Sequence, residues 1–481
     1  MKNKVLLIGF DGISPAFIEQ LIAESLLPTF KKIRDEGASG SLMTTIPPVS
    51  APAWSTIVTG LTPGNHGVFD FITPQKDGEG LKAKIHDSSS LRGKTVWDIA
   101  GLYGKRSIVI NVPLTYPAYP INGVMVSGFP SPLNRLVATP REAEEQLTRD
   151  YPEYRIDVNI SNKNYDMLDK DEFIDEAYRV MNQKAEMAQH LLESTEWDLF
   201  YVVFTMTDRF QHVFWPYSDD SYPWELKKKE KYGDVLKNVY RRLDEITAGL
   251  MAAVDEDTTV FVISDHGFES LRSKVSVRRW LQENGYIEKS VKSGSRFNQL
   301  KKAYKLVSSL GIDVTALFKK MPRFVQNMFI SDKINHLPGG VYFDNMGLNP
   351  ERVDLEELRG RLLELVDPET GERVVHSVFY RDELYRGRYA MNAVDMMIVP
   401  NTGYVLLDRH QEEMFERNPF TSGTHVSHVC RKGVFYLYGR DVKNTPATVN
   451  GFDIAPTIMW LLTGEEQTDM DGEARKNLFT E

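Results

Sequence analysis

The chain has 481 residues, 42% of them hydrophobic and 26% charged, which is the composition of a globular protein with a substantial core. Its 57 basic and 67 acidic side chains give a net charge of −10, so it has no global electrostatic attraction to a nucleic acid polymer. One cysteine, Cys430, excludes an internal disulfide, and the apolar run VLLIGF is too short for a signal peptide or a membrane span, so we expect a cytoplasmic protein without membrane contact.

Short apolar runs rich in Val and Ile alternate with helical patterns along the chain. These runs are VLLIGF (5–10), SIVIN (107–111), LFYVVF (199–204), TVFVIS (259–264) and VFYLYG (434–439). Continuous hydrophobicity is typical of strands buried on both faces, and the intervening helices indicate a largely parallel sheet. We therefore predict one large α/β domain whose ligands gather outside the carboxyl ends of its strands.

Three further stretches indicate how the chain is organised. SPAFIEQLIAESLLPTFKKIRDEG predicts one helix after the first strand, with Ser14 or Asp11 as its cap and Gly37 past its end. From about 275 the composition changes, and we predict an inserted cap or subdomain at 276–389 within a core formed by 1–275 and 390–481. A variable stretch at about 128–175, rich in Pro, Asn and charge, predicts loops near the same face.

Three strands that are distant in sequence end in residues capable of binding metal ions. Asp11 follows the first strand, TMTDRFQH follows LFYVVF, and Asp265 with His266 follows TVFVIS. Asp208 and His212 are four residues apart, a spacing that places both side chains on one face of a helix. Each signal alone also has a structural explanation, such as a helix cap for Asp11.

A late loop, SGTHVSH, adds His425, with His428 as its rival for the same role. The combined set of three Asp and three His is sufficient for two ions held by mixed nitrogen and oxygen ligands. This mixture suits Zn²⁺, Mn²⁺ or Fe²⁺, with Zn²⁺ expected, and the absence of thiolates argues against a structural zinc site. Two ions about 4 Å apart commonly stabilise the attacking and leaving oxygens in phosphoryl transfer.

The stretch VSAPAWSTIVTG places Ser50 at the start of a predicted helix that runs to about Thr59. Proline is favoured in the first turn of a helix, as Pro52 would be, and the free N–H groups of that turn would face the serine oxygen and an incoming phosphate. A serine hydroxyl needs a base or a metal to become a nucleophile. Ser50 is therefore either a turn residue or a nucleophile.

The motifs FDG, S-x-P-x-x-S-x-x-x-T-G with NHG, D-x3-H, SDHG and GTH occur in an order that resembles the alkaline phosphatase superfamily. Within it the chain most resembles the type I phosphodiesterase and nucleotide pyrophosphatase branch, over roughly 1–125, 195–270 and 420–465. The resemblance implies a three-layer αβα sandwich around a largely parallel sheet. It also implies that Ser50, two residues before a proline, is the nucleophile, rather than Ser55 or Thr56, and forms a covalent phospho-enzyme.

The resemblance further implies how the metal ligands divide between two sites. One ion would be held by Asp208, His212 and His425, and the other by Asp11, Ser50, Asp265 and His266. The chain departs from the branch where an Asn usually follows the HG dipeptide, because Phe71 stands at about that place. Contacts to the phosphate must then come from elsewhere, with Asn65, Asp70, Asn111 and Arg209 as candidates.

Aromatic side chains near these motifs allow two interpretations. Trp54, Phe71, Tyr116 and Phe129 would either stack on a substrate base or belong to the core. We include Trp54 and Phe71 with Asn111 and Arg209 as candidate substrate-binding residues. Trp54 also stands where sulfatases, with their C/S-x-P-x-R motif, carry an arginine, which argues against a sulfatase. His66 in the NHG turn is interpreted as structural.

The sequence therefore predicts a metal-dependent hydrolase of small phosphate esters, most closely of phosphodiesters or nucleotide pyrophosphates. The alternatives within the superfamily are a phosphomonoesterase, a sulfatase or a phosphonate hydrolase. The alternative of another class is a non-catalytic, metal-binding regulatory protein, which predicts at least one broken ligand, whereas all seven positions are intact. The sequence indicates neither the leaving group nor the oligomeric state.

Overall fold

A nine-stranded sheet lies at the centre of the protein, whose computed structural model describes residues 4–77, 80–158, 169–219, 230–288, 339–408, 413–417 and 423–480. In chain order the strands are β1 (Lys4–Phe10), β2 (Ala38–Met43), β3 (Ile72–Asp77), β4 (Gly80–Ile85), β5 (Ser107–Ile110), β6 (Gly123–Val126), β7 (Ala138–Thr139), β8 (Leu199–Phe204), β9 (Thr258–Ile263), β10 (Glu269–Ser270), β11 (Ser273–Ser276), β12 (Gly340–Val341), β13 (Val375–Tyr380), β14 (Met396–Pro400), β15 (Tyr404–Leu407), β16 (Phe415–Arg417), β17 (Gly423–Thr424), β18 (Lys432–Tyr438) and β19 (Thr445–Asn450).

Helices connect most of these strands. They are α1 (Pro15–Ala23), α2 (Pro28–Glu36), α3 (Ser50–Thr59), α4 (Pro63–His66), α5 (Val96–Leu102), α6 (Arg141–Asp150), α7 (Lys170–Ser194), α8 (Met206–Ser218), α9 (Val235–Ala252), α10 (Val277–Glu283), α11 (Phe343–Met346), α12 (Leu355–Leu363), α13 (Arg381–Leu384) and α14 (Ile454–Thr463). Short 3₁₀ segments lie at Ala390–Asn392, Val429–Arg431, Gly451–Asp453 and Lys476–Leu478. Among the helices of the described ranges, none is both long enough and apolar enough to cross a membrane.

The strand order of the central sheet is β19-β2-β18-β9-β1-β8-β5-β6-β7. Strand β1 pairs in parallel with β8 and β9, and the other neighbours follow the same direction except β18 and the edge strand β7, which are antiparallel. All five predicted apolar runs lie in strands of this sheet. The predicted α/β architecture around a large, mostly parallel sheet is confirmed.

Helices cover both faces of the sheet and create two cores. Along β1, Leu6, Ile8 and Phe10 join the core with α1, α2, α7, α8 and α9, while Val5 and Leu7 join the core with α3, α5 and α14. Successive side chains of a strand point to opposite faces, so a strand between two helical layers must be apolar at every position. Each large apolar side chain buried in this way contributes about 1.5–3 kcal/mol to stability.

The predicted helix after β1 is wrong in one respect, because it is two helices. Ser14 caps α1 by accepting a hydrogen bond from the Phe17 N–H, and α2 begins at Pro28. Proline has no N–H and disfavours the helical conformation of the preceding residue, here Leu27, so the first helix ends before it. Ser14 rather than Asp11 is the cap, which leaves the Asp11 carboxylate available for other contacts.

A second region packs around its own core. Strands β12, β14 and β13 form one small sheet, and β15, β11 and β16 form another. Their buried side chains include Val275, Val341, Met396 and Leu406. The boundaries proposed for a subdomain at 276–389 stay a prediction, and residues 289–338, with the basic stretch KSVKSGSRFNQLKKAYK, lie outside the described residues.

In the stretch 128–175, predicted to be loops, α6 and the start of α7 are helical.

Candidate active site

The carboxyl ends of three adjacent strands bring the predicted ligands together. Phe10 of β1 is in register with Phe204 of β8, and Gly9 is in register with Ile263 of β9. Asp11 and Asp265 therefore emerge beside each other, and α8 begins directly after β8 with Asp208 in its first turn. The predicted helical face holds, since His212 Nε2 lies 3.3 Å from Asp208 Oδ1.

Ser50 is the first residue of α3, as the position of Pro52 in the sequence predicts. Its Oγ donates a hydrogen bond to Asp11 Oδ1 at 3.1 Å and lies 3.2 Å from His266 Nε2. Within the described structure, no side chain caps the N-terminus of α3, so the first N–H groups of the helix remain available to an anion. The half-buried hydroxyl thus faces both a carboxylate and an imidazole at a helix N-terminus.

A glycine makes the approach of the strand ends possible. Gly12 has φ +72°, and a Cβ at this position would lie 3.1 Å from the His266 ring and 3.4 Å from Asp208 Oδ1. Its N–H donates to Asp265 Oδ1 at 3.1 Å. The DG pair of the FDG motif is explained by this turn, since glycine alone adopts the left-handed conformation without strain.

The three histidines of the site share one arrangement. Each donates a hydrogen bond from Nδ1 to a backbone carbonyl: His212 to Gly423 at 3.0 Å, His266 to Gly267 at 2.9 Å and His425 to Pro48 at 2.8 Å. A carbonyl oxygen only accepts, so Nδ1 carries the proton and Nε2 presents a lone pair in each neutral ring. Histidine ligands of metals are commonly oriented by such a bond from the other ring nitrogen.

The carboxylates supply matching unsatisfied atoms. Asp208 Oδ1 and Asp265 Oδ2 are buried without a hydrogen-bond partner among the residues that the structure describes. The candidate ligands form two sets, and within each set the ligand atoms lie within 4.8 Å of one another. One set is Asp208, His212 and His425, and the other is Asp11, Asp208 and His266, so Asp208 belongs to both. Asp265 Oδ2 lies near the second set, 3.4 Å from His266 Nε2. These residues fit divalent cations, which would satisfy the unpartnered oxygens.

The electrostatics of the site also favour a cation. Burial raises the pKa of Asp265 well above its usual value, and the negative charge of Asp11 raises it further. Burial alone would lower the pKa of His266, but the carboxylates of Asp265 and Asp11 raise it to about 10. Burial and the neighbouring His266 lower the pKa of His425 to about 3. Buried carboxylates that lie this close together are stabilised by a bound cation.

Three of the four residues predicted to bind substrate make polar contacts within the protein. Trp54 is fully buried, and its indole N–H donates to Asp11 Oδ2 at 3.4 Å. Asn111, 1% exposed and with φ +59°, donates from Nδ2 to the Val203 carbonyl at 2.7 Å. Arg209 forms ion pairs with Asp157 and Asp208. Trp54 therefore contacts Asp11, a candidate metal-binding residue, from inside the core, and its ring offers no surface for stacking on a substrate.

Phe71, the fourth candidate, is only partly buried. It packs edge-on against Phe129 with ring centroids 5.0 Å apart, and contacts the small cluster that contains Ala51, the neighbour of Ser50. No hydrogen-bonding group replaces the usual asparagine at this position. Phe71 therefore contributes to apolar packing beside the first turn of α3.

Two other histidines lie apart from the cluster. The ring of His428 stacks on His376 at 4.0 Å, so His425, and not its rival, lies with the other predicted ligands. His66 is fully buried, with Nε2 3.0 Å from Thr56 Oγ1 and Nδ1 accepting from the Val68 N–H at 3.2 Å. These bonds fasten the NHG turn to α3, in agreement with a structural role, and burial lowers the pKa of His66 to about 3.

Comparison with known families gives a direct assignment. Residues 5–428 match the model of the family described as type I phosphodiesterase / nucleotide pyrophosphatase. The chain belongs to this family. The protein is therefore a phosphoester hydrolase, and its predicted relationship to the alkaline phosphatase superfamily is confirmed. The family depends on metal ions, which agrees with the cluster of Asp and His side chains. A comparison with curated proteins gives no match.

Solved structures of the same fold include enzymes of this superfamily. Phosphonoacetate hydrolase from Sinorhizobium meliloti 1021, in complex with phosphonoformate, is 14% identical, with a TM-score of 0.59 over 96% of this chain and 95% of that chain. Human ectonucleotide pyrophosphatase/phosphodiesterase 5 is 13% identical, with a TM-score of 0.56 over 99% and 100%. An inactive variant of the murine protein, in complex with AMP, is 14% identical, with a TM-score of 0.55 over the same shares. These similarities show a common fold.

Proposed function

We propose that this phosphoester hydrolase uses Ser50 as a nucleophile and two divalent cations as cofactors. The observation that carries the proposal is the position of Ser50 Oγ, which lies 3.1 Å from Asp11 Oδ1 and 3.2 Å from His266 Nε2 at an uncapped helix N-terminus of the described structure. A hydroxyl in this setting has an acceptor for its proton and N–H groups for the oxygens of a bound phosphate.

Asp208, His212 and His425 would hold one cation, and Asp11, Asp265, His266 and Ser50 would hold the other. When bound, the two ions supply Lewis acidity that stabilises the attacking and leaving oxygens of an in-line displacement. The nitrogen and oxygen ligands suit Zn²⁺, with Mn²⁺ and Fe²⁺ as alternatives. Trp54 orients Asp11 by its indole N–H, and the backbone carbonyls fix the three imidazole rings.

The reaction proceeds through the residues of this site in two displacements. Ser50 Oγ attacks phosphorus, its proton leaves along the hydrogen bond to Asp11, and the bond from phosphorus to the leaving oxygen breaks. A water molecule then attacks phosphorus from the side that the leaving group vacated, and the bond from phosphorus to Ser50 Oγ breaks. The proton held by Asp11 returns to Oγ, and the proton that the water loses neutralises the departed alkoxide through solvent. The N–H groups of α3 bind the non-bridging oxygens in both steps, which stabilises the charge that develops on them.

We propose small phosphodiesters or nucleotide pyrophosphates as substrates, because these are the substrates that give the family its name. Murine ectonucleotide pyrophosphatase/phosphodiesterase 5 binds AMP in one of the similar structures. Phosphonate hydrolysis is the second candidate, favoured by the similarity to a phosphonoacetate hydrolase. The cytoplasmic location stays a prediction.

The test is a comparison of Ser50→Ala with Ser55→Ala, a matched change in the same helix. Ser55 is buried in α3 and its hydroxyl has no partner in the described part of the chain. We expect hydrolysis of a bis-nitrophenyl phosphate, a nitrophenyl monoester, a dinucleotide or phosphonoacetate to require added Zn²⁺ or Mn²⁺. Ser50→Ala should lower the rate by about 10³-fold or more, and Ser55→Ala by less than about threefold. An unchanged rate in Ser50→Ala would refute the nucleophile.

A further inference from the structure

The two oxygens of Asp208 have different environments. Oδ1 faces His212 Nε2 at 3.3 Å and His425 Nε2 at 4.0 Å, and no described residue gives it a hydrogen bond. Oδ2 instead accepts a hydrogen bond from Arg209 Nη1 at 3.3 Å. One oxygen is thus directed toward the ligand cluster while the other is held from outside it.

Arg209 is itself held by a buried acid. Its Nε lies 3.2 Å and 3.1 Å from the two carboxylate oxygens of Asp157, and its Nη2 lies 2.8 Å from Oδ2. The side chain of Asp157 is 8% exposed and that of Arg209 is 29% exposed, so solvent screens this pair only in part. A guanidinium clamped through two nitrogens has a fixed orientation, which a lysine does not reproduce.

Two hydrogen bonds, one to Asp157 and one to the residue before it, fix this segment in turn. The Val158 N–H donates to Asp157 Oδ1 at 2.8 Å, and the ammonium of Lys184, fully buried in α7, donates to the Ile156 carbonyl. Burial lowers the pKa of Lys184 to about 8, while the negative charge of Asp157 opposes this shift. Charges therefore alternate in sign from Lys184 through Asp157 and Arg209 to Asp208.

We infer that Asp157 and Arg209 are positioning residues, which hold Asp208 so that its Oδ1 binds the cation shared with His212 and His425. The inference rests on the proposed two-cation function. Partners that orient a metal ligand typically change metal affinity or activity by about 10- to 100-fold when they are removed. Arg209, predicted as a substrate contact, instead directs Nε and Nη2 to Asp157 and Nη1 to Asp208, so its three nitrogens point to protein carboxylates.

Cation binding to metal-free protein tests this role without relying on turnover. The variants are Asp157→Asn and Arg209→Lys, and the control is Arg278→Gln, which breaks a comparably buried pair with Asp408 that has an N–O distance of 3.0 Å. Calorimetric titration with Zn²⁺ should show two bound ions in the wild type. In both variants one of the two should bind about 10- to 100-fold more weakly, and in the control both should bind as in the wild type.

The visible spectrum of bound Co²⁺ gives a second readout, because it reports ligand geometry. We expect the spectrum of one site to change in Asp157→Asn and Arg209→Lys and to stay unchanged in Arg278→Gln. Thermal unfolding of the metal-free proteins shows whether each variant is folded, and Arg209→Lys preserves the charge if Asp157→Asn does not fold.

The outcomes separate this inference from the proposed function. A wild type that binds two ions, with variants that bind both as tightly and give the same Co²⁺ spectrum, would overturn the positioning role alone. An increase in KM of Arg209→Lys with unchanged ion binding would overturn it in favour of a substrate contact. A wild type that binds no ion would overturn the proposed function together with this inference.

Discussion

The candidate site has a strand-end half, formed by Asp11, Asp265 and His266, and a helix–loop half, formed by Asp208, His212 and His425. The side chains of the strand-end half are 6% exposed or less. In the helix–loop half the histidines are more exposed, at 21% for His212 and 15% for His425. The register of adjacent parallel strands fixes the first half. The second half depends on hydrogen bonds to carbonyls hundreds of residues away, at Gly423 and Pro48. One half is therefore held by strand pairing within the central sheet, and the other by hydrogen bonds from histidine rings to carbonyls outside that sheet.

The largest effect is expected in the strand-end half, from Asp265→Asn. This change removes a charged ligand atom that the sheet holds in place, and we expect the hydrolysis rate to fall by about 10³-fold with little recovery in excess metal. The metal-free variant should unfold at a temperature no lower than the wild type, because the buried carboxylate lies beside Asp11 and its charge is destabilising there. Rate assays with added Zn²⁺ and thermal unfolding measure the two expectations. Full recovery of the rate in excess metal would remove the distinction between the halves.

A smaller effect is expected in the helix–loop half, from His425→Ala. We expect a rate loss of about 10²-fold that is partly reversed by excess metal, because Asp208 and His212 keep two of the three ligands. The matched control is His428→Ala, three residues further on, whose ring stacks on His376 and should change the rate by less than about threefold. Equal losses in the two variants would contradict the assignment of His425.

The smallest effect is expected on the pH dependence of stability, from Glu269 beside β17, the strand that directly precedes His425. Glu269 of β10 pairs with Thr424 of β17, accepts from the Gly403 N–H at 3.3 Å, and has its pKa raised by burial from the ordinary value of 4.5 to about 7. The folded state therefore favours the protonated form. The stability that this form provides is fully present below about pH 4.5 and is lost as pH rises through about 7.

Glu269→Gln should remove this dependence. Between pH 4.5 and pH 7 the metal-free wild type should lose up to about 3 kcal/mol more free energy of unfolding than the variant. Urea unfolding at a series of pH values measures the difference. Parallel curves for the two proteins would show that the Glu269 carboxyl titrates normally in the folded state.

The sequence was most informative where local pattern and position coincide. The apolar runs predict β1, β8 and β9 because strands covered on both faces need uninterrupted hydrophobicity. The four-residue spacing of Asp208 and His212 predicts that both side chains lie on one helical face, and α8, which follows its strand, contains both residues. The resemblance to a known family selected Ser50 among three hydroxyls, and the start of α3 at that residue agrees with this choice.

Other features had no local signal. The carbonyls that orient the histidines belong to Gly423, Gly267 and Pro48. Every residue has a backbone carbonyl, so the sequence does not show which of them accepts such a bond. Asp157 lies in a stretch rich in Pro, Asn and charge, and its pairing with Arg209 of α8 joins residues that are 52 positions apart, which no local pattern indicates. Trp54 looked equally suited to a core and to a stacking surface, because the same aromatic surface serves both.

The most direct measurement of the central claim is mass spectrometry of protein quenched in acid during turnover of a phosphodiester. The proposed mechanism predicts a covalent phosphoryl adduct, with its remaining ester group, on the peptide that contains Ser50. The adduct should be present in Ser55→Ala and absent from Ser50→Ala. Turnover without any adduct, or an adduct on another residue that persists in Ser50→Ala, would contradict the assignment of Ser50 as the nucleophile.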